Sequence, residues 1–180
     1  MKRILTIAMT LMLALYVQAQ GSVTSFLGIP VDGSRATMVK ELVKKGFVRK
    51  SNDRLDCVIE GVPYIVKIMT NKGRVCRISL IEKEGTEDVS LAVEKYNALI
   101  EWYRNSKDYT EYEYNDPIRS SDNLTYERYI CEGWYYAEFF QVCDPQLYSK
   151  RVSFKLSDEY GDYRIVRCYD NIYNLPEGEE

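Results

Sequence analysis

The stretch Leu55-Asp56-Cys57-Val58-Ile59-Glu60-Gly61-Val62-Pro63-Tyr64-Ile65-Val66-Lys67-Ile68-Met69-Thr70-Asn71-Lys72-Gly73-Arg74-Val75-Cys76-Arg77-Ile78-Ser79-Leu80 decides the fold. Leu55, Cys57 and Ile59 alternate, as do Tyr64, Val66 and Ile68, then Cys76, Ile78 and Leu80. Such alternation belongs to half-buried strands. Glu60-Gly61-Val62-Pro63 and Thr70-Asn71-Lys72-Gly73 supply turn chemistry between them. With Asn52-Asp53 as a further break, residues 47–82 read as a four-stranded antiparallel meander.

On the N-terminal side, Met38, Val39, Leu42 and Val43 form an apolar stripe at helical spacing. Ser34 is its cap and Gly46 its left-handed stop, so a helix is expected over 34–45. On the C-terminal side, Val89, Val93, Tyr96, Ile100 and Tyr103 recur at steps of four and three, which predicts a helix over 89–105. Residues 109–123 hold Pro117 and read as a long loop, although Glu111-Tyr112-Glu113-Tyr114 alternates like a strand. Strands are expected over 124–132, 134–143, 147–156 and 160–169. The expected fold is therefore α+β and two-layered: a helix followed by a four-stranded antiparallel meander, occurring twice, with the helices on one face of the sheet. Residues 20–180 form a single domain, with two subdomains, 26–83 and 88–174, as the finer possibility.

The chain begins Met1-Lys2-Arg3, runs through an apolar stretch from Ile4 to Val17, and reaches Val17-Gln18-Ala19. That order reads as a secretory signal over 1–19, cleaved after Ala19, and the run is too short for a membrane span. An exported protein, periplasmic or extracellular, is expected. Removing residues 1–19 takes two positive charges from the net of -3, leaving -5. A mildly acidic domain without a basic block has no electrostatic footprint for nucleic acid. Five Cys in an exported chain raise the question of disulfides. With the turns placed as above, Cys57 falls opposite Val66 and Cys76 opposite Lys67, with a strand between them. That separation exceeds the Cα limit of about 7 Å, and buried thiols are expected instead.

The chain contains no His, which removes Ser-His and Cys-His nucleophile activation and the commonest metal ligand. Cys-x-x-Cys, Gly-x-Ser-x-Gly and phosphate-binding glycine loops are absent too, so neither a cofactor nor a catalytic residue is assigned. Glu111, Glu113 and Asp116 beside Tyr112 and Tyr114 are the acids a sugar-cleaving cleft would need, and they define the alternative of a glycan hydrolase. Asp158, Glu159 and Asp162 around Gly161 suit a polar turn better than a calcium loop. Lys40, Lys44, Lys45, Arg49 and Lys50 read as a solvated helix end. The densest aromatic run is Trp134, Tyr135, Tyr136, Phe139 and Phe140. On strand 147–156, Arg151 and Lys155 lie opposite Val152 and Phe154. Tyr and Arg are favoured at binding hot spots. An outer sheet face with Tyr135, Arg151, Lys155 and Arg164 is therefore the expected binding surface, with a protein or glycan as partner and no enzymatic activity. A structural subunit that associates with itself through a strand edge is a third reading.

Phe26-Leu27-Gly28-Ile29-Pro30-Val31-Asp32-Gly33-Ser34, Lys44-Lys45-Gly46-Phe47 and Cys168-Tyr169-Asp170-Asn171-Ile172-Tyr173-Asn174 resemble small secreted proteins of Bacteroidales-type gut bacteria that have no assigned activity. The resemblance runs from Phe26 to Asn174, and its motifs are turn, helix cap and strand end. The expected order of elements also resembles the tandem architecture of β-lactamase inhibitory proteins. That likeness implies a concave protein-binding sheet, without the paired cysteines that staple those subdomains.

Overall fold

A computed structural model of the chain describes residues 23–51, 54–119, 135–143, 145, 148–158 and 162–178. The secretory signal, Cys131, Trp134 and the strand expected over 124–132 lie outside the described residues. The elements run β1 (Ser25–Phe26), β2 (Ile29–Pro30), α1 (Arg35–Lys44), β3 (Val48–Arg49), β4 (Leu55–Ile59), β5 (Val62–Asn71) and β6 (Arg74–Glu82). There follow α2 (Val89–Asn105), β7 (Tyr109–Thr110), β8 (Tyr136–Gln141), β9 (Arg151–Ser157), β10 (Arg164–Asp170) and a 3-10 turn over Ile172–Asn174.

Both helices form for the local reasons expected. The Ser34 hydroxyl accepts from the Thr37 amide, and Gly46, at φ 93°, donates its N–H to the Val43 carbonyl. At α2 the Asp88 carboxylate accepts from the amides of Ser90 and Leu91. The buried stripes are narrower than the periodicity suggests: Met38 and Leu42 on α1, and Ala92, Tyr96, Ile100 and Tyr103 on α2, with Val43 and Val89 exposed.

The sheet departs from the expected plan. All of β3 to β10 belong to one eight-stranded antiparallel sheet in the order β3-β4-β5-β6-β10-β9-β8-β7, and β1 and β2 make a separate two-stranded one. Strand accounts for 41% of the described residues and helix for 23%, so the fold is mostly β. The expected helix-plus-meander unit occurring twice is overturned, and the tandem likeness falls with it. The physical reason is a single long-range pairing. Strand β10 docks antiparallel on β6, from Val166↔Ile81 to Asp170↔Arg77, and merges what local periodicity presents as two sheets. Residues of both halves then share one apolar core.

Register is set by two-residue turns. Glu60-Gly61 and Lys72-Gly73 both hold positive φ at both positions, the type I′ geometry that matches strand twist. Cys57 therefore pairs with Tyr64 rather than Val66, and Lys67 with Ser79 rather than Cys76. A bulge at Met69/Thr70 adds the odd residue. Cys57 and Cys76 still lie on opposite sides of β5, and Cys57 and Cys168 are thiols. Burial pushes the Cys57 thiol up to about 11.

The helix-side face carries Tyr64, Val66 and Ile68 of β5, Ile78 and Leu80 of β6, Ile165 and Tyr169 of β10, Val152, Phe154 and Leu156 of β9, and Ala137 and Phe139 of β8. Helix α1 packs on β5 and β6, and α2 on β7 and β9, leaving β10 between them. The opposite face is polar and mixed. Among the described residues both sheet edges end in strands of only two residues.

Candidate functional site

A groove of about 960 Å³ opens at one end of the outer face. Its floor is Phe140 of β8 and Arg151 of β9, which pair directly in register. One wall is the β5–β6 turn with Lys72 and Arg74, and another is the tail from Ile172 to Glu177. The bulge that tilts this turn is pinned from behind. Arg35 donates to the Ile68 carbonyl, the Val75 amide to Gly33, and the Asn174 amide to Val75.

Asp170 is fully buried and anchors the floor. Its carboxylate accepts from Arg77 Nε at 2.6 Å and from Arg151 Nε at 3.0 Å. Glu138 lies 3.7 Å from the same Arg151. On the wall, Arg74 Nη2 donates to both oxygens of Asp32, at 2.8 and 2.7 Å. Asn174 donates to Asp32 as well. Burial alone would raise the Asp32 carboxyl, but its hydrogen bonds to Gly33, Asn174 and Arg74 outweigh it and hold the group below 3.8. Both guanidiniums thus present planar, oriented donors whose charge is already met by carboxylates.

Aromatic rings complete the groove. Tyr112, Tyr148 and Phe140 form a chain with centroids 4.9 and 5.2 Å apart. Tyr148 is 48% exposed, and Tyr173, on the tail wall, is 64% exposed. An apolar strip flanked by oriented polar groups, in a volume suited to a small ligand, is the composition of a binding site.

The sequence-based candidates scatter. Arg151 is in the groove. Lys155 is on the same face four residues along β9, about 13 Å away at strand rise, beside Tyr136 and Val166. Arg164 starts β10 at the far end of the face, where Asp162 accepts from its Nε and Nη2 at 2.7 and 2.9 Å. Tyr135 points the other way: its ring packs 6.4 Å from Tyr96, against the core. Alternation already groups Tyr135 with Phe139, and Phe139 is fully buried, so Tyr136 is the outer-face residue at this position. Tyr148 falls within the strand expected over 147–156, but β9 begins only at Arg151 and leaves this ring in the preceding turn, while Tyr173 stands in the 3-10 turn, where periodicity is silent.

Glu111 of the acidic cluster accepts from Arg104 and Asn115. Burial would raise its pKa, yet these bonds hold it below 4.5, the opposite of what a general acid needs. Glu113 is exposed. Lys44 pairs with Glu41 at 2.6 Å on an exposed helix face. Among the described residues no three metal-binding side chains gather, and none of the described helices is long and apolar enough to cross a membrane. No family model, curated protein or solved structure matches the chain.

Proposed function

We propose that the protein is an exported, non-enzymatic binding module that takes an uncharged glycan in the outer-face groove. The observation that carries this reading is the pairing of exposed rings, Tyr148 and Tyr173, with the charge-compensated planar groups of Arg74 and Arg151. A sugar ring offers one apolar C–H face and a rim of hydroxyls. Aromatic side chains cover the first and fixed donors and acceptors meet the second. Because Asp32 and Asp170 already neutralise the two guanidiniums, the groove favours hydroxyls over strong anions.

Isothermal titration against a panel of neutral oligosaccharides tests this. Tyr148→Ala and Tyr173→Ala each weaken binding by about tenfold, the equivalent of roughly 1.4 kcal/mol. Arg164→Ala, at the far end of the face, leaves affinity unchanged. A stoichiometric protein partner in the absence of any oligosaccharide binding sinks the reading, as does affinity indifferent to both tyrosines.

A further inference from the structure

One rung of the sheet contains an anomaly. Across the helix-side face, Leu55, Val66, Leu80, Arg167, Phe154 and Ala137 pair in succession, and every member except Arg167 is apolar. A guanidinium at the centre of an apolar rung is expensive unless it meets an anion. Arg167 Nη2 donates to the Tyr64 hydroxyl at 2.5 Å, and its Nε–H is buried without an acceptor. Among the described residues no carboxylate forms an ion pair with it.

The surrounding hydroxyls do not supply the missing charge. Burial pushes Tyr64, Tyr103 and Tyr169 upward and carries Tyr109 to about 12, so all four stay neutral. Since arginine can only donate, the Tyr64 oxygen is the acceptor in that bond and its proton is left to donate elsewhere. Two cavities, of about 430 and 470 Å³, border Arg167 where β10 runs between the helices, and Trp102 lines both. Trp102, Tyr103, Tyr109 and Tyr169 give the smaller one flat rings, and Gln141 and a second cation, Lys150, line it as well.

We propose that this cavity is a second binding site, independent of the groove on the opposite face, and that it takes a small monocarboxylate with a flat apolar body. The carboxylate supplies the counter-ion that no described residue gives Arg167, and a tyrosine hydroxyl donates to its second oxygen. The flat body lies against Trp102 and Tyr103. Glu60 borders both cavities and Asp108 the smaller one, and both are exposed. With Lys150 and Arg167 against these two carboxylates the lining carries no net charge, which favours a singly charged ligand over a multiply charged one such as phosphate.

Benzoate is the probe, with benzamide as its uncharged counterpart and inorganic phosphate as the multivalent one. Benzoate is expected to bind by isothermal titration and to change Trp102 fluorescence, with benzamide and phosphate at least about tenfold weaker. Arg167→Gln abolishes the preference for benzoate over benzamide, and Arg167→Lys retains it. Glu60→Gln, a change at an exposed turn that keeps the core intact, tightens benzoate about threefold by removing a nearby negative charge. Failure of benzoate to bind the wild-type protein, equal binding of benzamide, or stronger binding of phosphate overturns the proposal. So does indifference to Glu60→Gln, should Arg167→Gln fail to fold.

Discussion

A buried charge and a half-buried one on β10 set most of the residue-level behaviour, and they are handled in opposite ways. Asp170 faces the outer side and is held by two guanidiniums, Arg77 and Arg151. Arg167 faces the helix side and, among the described residues, meets tyrosine hydroxyls and the Tyr64 ring rather than a carboxylate. Breaking a buried pair leaves an uncompensated charge, which costs more than the pair itself contributes. Asp170→Asn keeps the side-chain volume but removes the carboxylate that Arg77 and Arg151 share. The expected loss is about 3 kcal/mol of unfolding free energy, read as a lower urea midpoint at unchanged slope. Because Arg151 is also the groove floor, the same variant loosens that floor and weakens glycan binding. Arg77→Ala serves as the comparison, since it removes one guanidinium and leaves the Asp170–Arg151 contact standing.

At the scale of elements, the segment after α2 shows a side chain doing the work of a strand. Strand β7 stops at Thr110, yet β8 continues past it with backbone groups to satisfy. Asn115 meets them: its Nδ2 donates to the Glu138 carbonyl and its Oδ1 accepts the Glu138 amide. The same Nδ2 donates to Glu111, so this member of the acidic cluster helps hold the sheet edge. Asn97 of α2 clamps the far end of the segment through both the amide and the carbonyl of Ile118. Asn115→Ala orphans a donor and an acceptor on β8 and is expected to cost about 2 kcal/mol. Hydrogen exchange locates the damage: faster exchange at Glu138 and its neighbours, with β5 and β6 unaffected.

For the whole molecule, the absence of His gives stability an unusual pH profile. No side chain has an ordinary titration between about pH 5 and pH 8, so the unfolding free energy is expected to be flat there. On the acid side, burial would raise Asp56, but hydrogen bonds from Lys83 and Arg54 hold it below 3.8, and Glu111 sits below 4.5 in the same way. Carboxyls depressed in the fold stabilise it above their unfolded values, and that contribution is lost as pH falls through the folded ones. Stability therefore drops below about pH 4.5. On the basic side, burial raises Cys57 to about 11 and Tyr109 to about 12. Acids raised in the fold stabilise it below their unfolded values, so a second decline begins as pH climbs through about 9 and steepens through 10. Urea midpoints taken across pH 3 to 11 check both limbs, and a transition centred near pH 6.5 would contradict the account.

What the amino-acid sequence determines by itself is what depends on near neighbours. Alternation in Leu55–Leu80 yields β4, β5 and β6, and the spacing of Tyr96, Ile100 and Tyr103 yields α2. Ser34 and Gly46 bound α1 because caps are chosen within a few residues of the helix end. The absence of His limits the available chemistry, since no fold can restore a missing side chain. Tertiary structure alone decides that β10 lies against β6, because that pairing joins residues about ninety positions apart and leaves no periodic trace. Without it the second half of the chain reads as another sheet, and the count of layers and repeats comes out wrong. The same pairing puts Arg167 in an apolar rung and Asp170 between two arginines, and it brings the tail with Tyr173 beside Arg74 and Phe140. Each of these residues is ordinary in sequence, because burial and charge compensation are properties of the neighbours that the fold supplies.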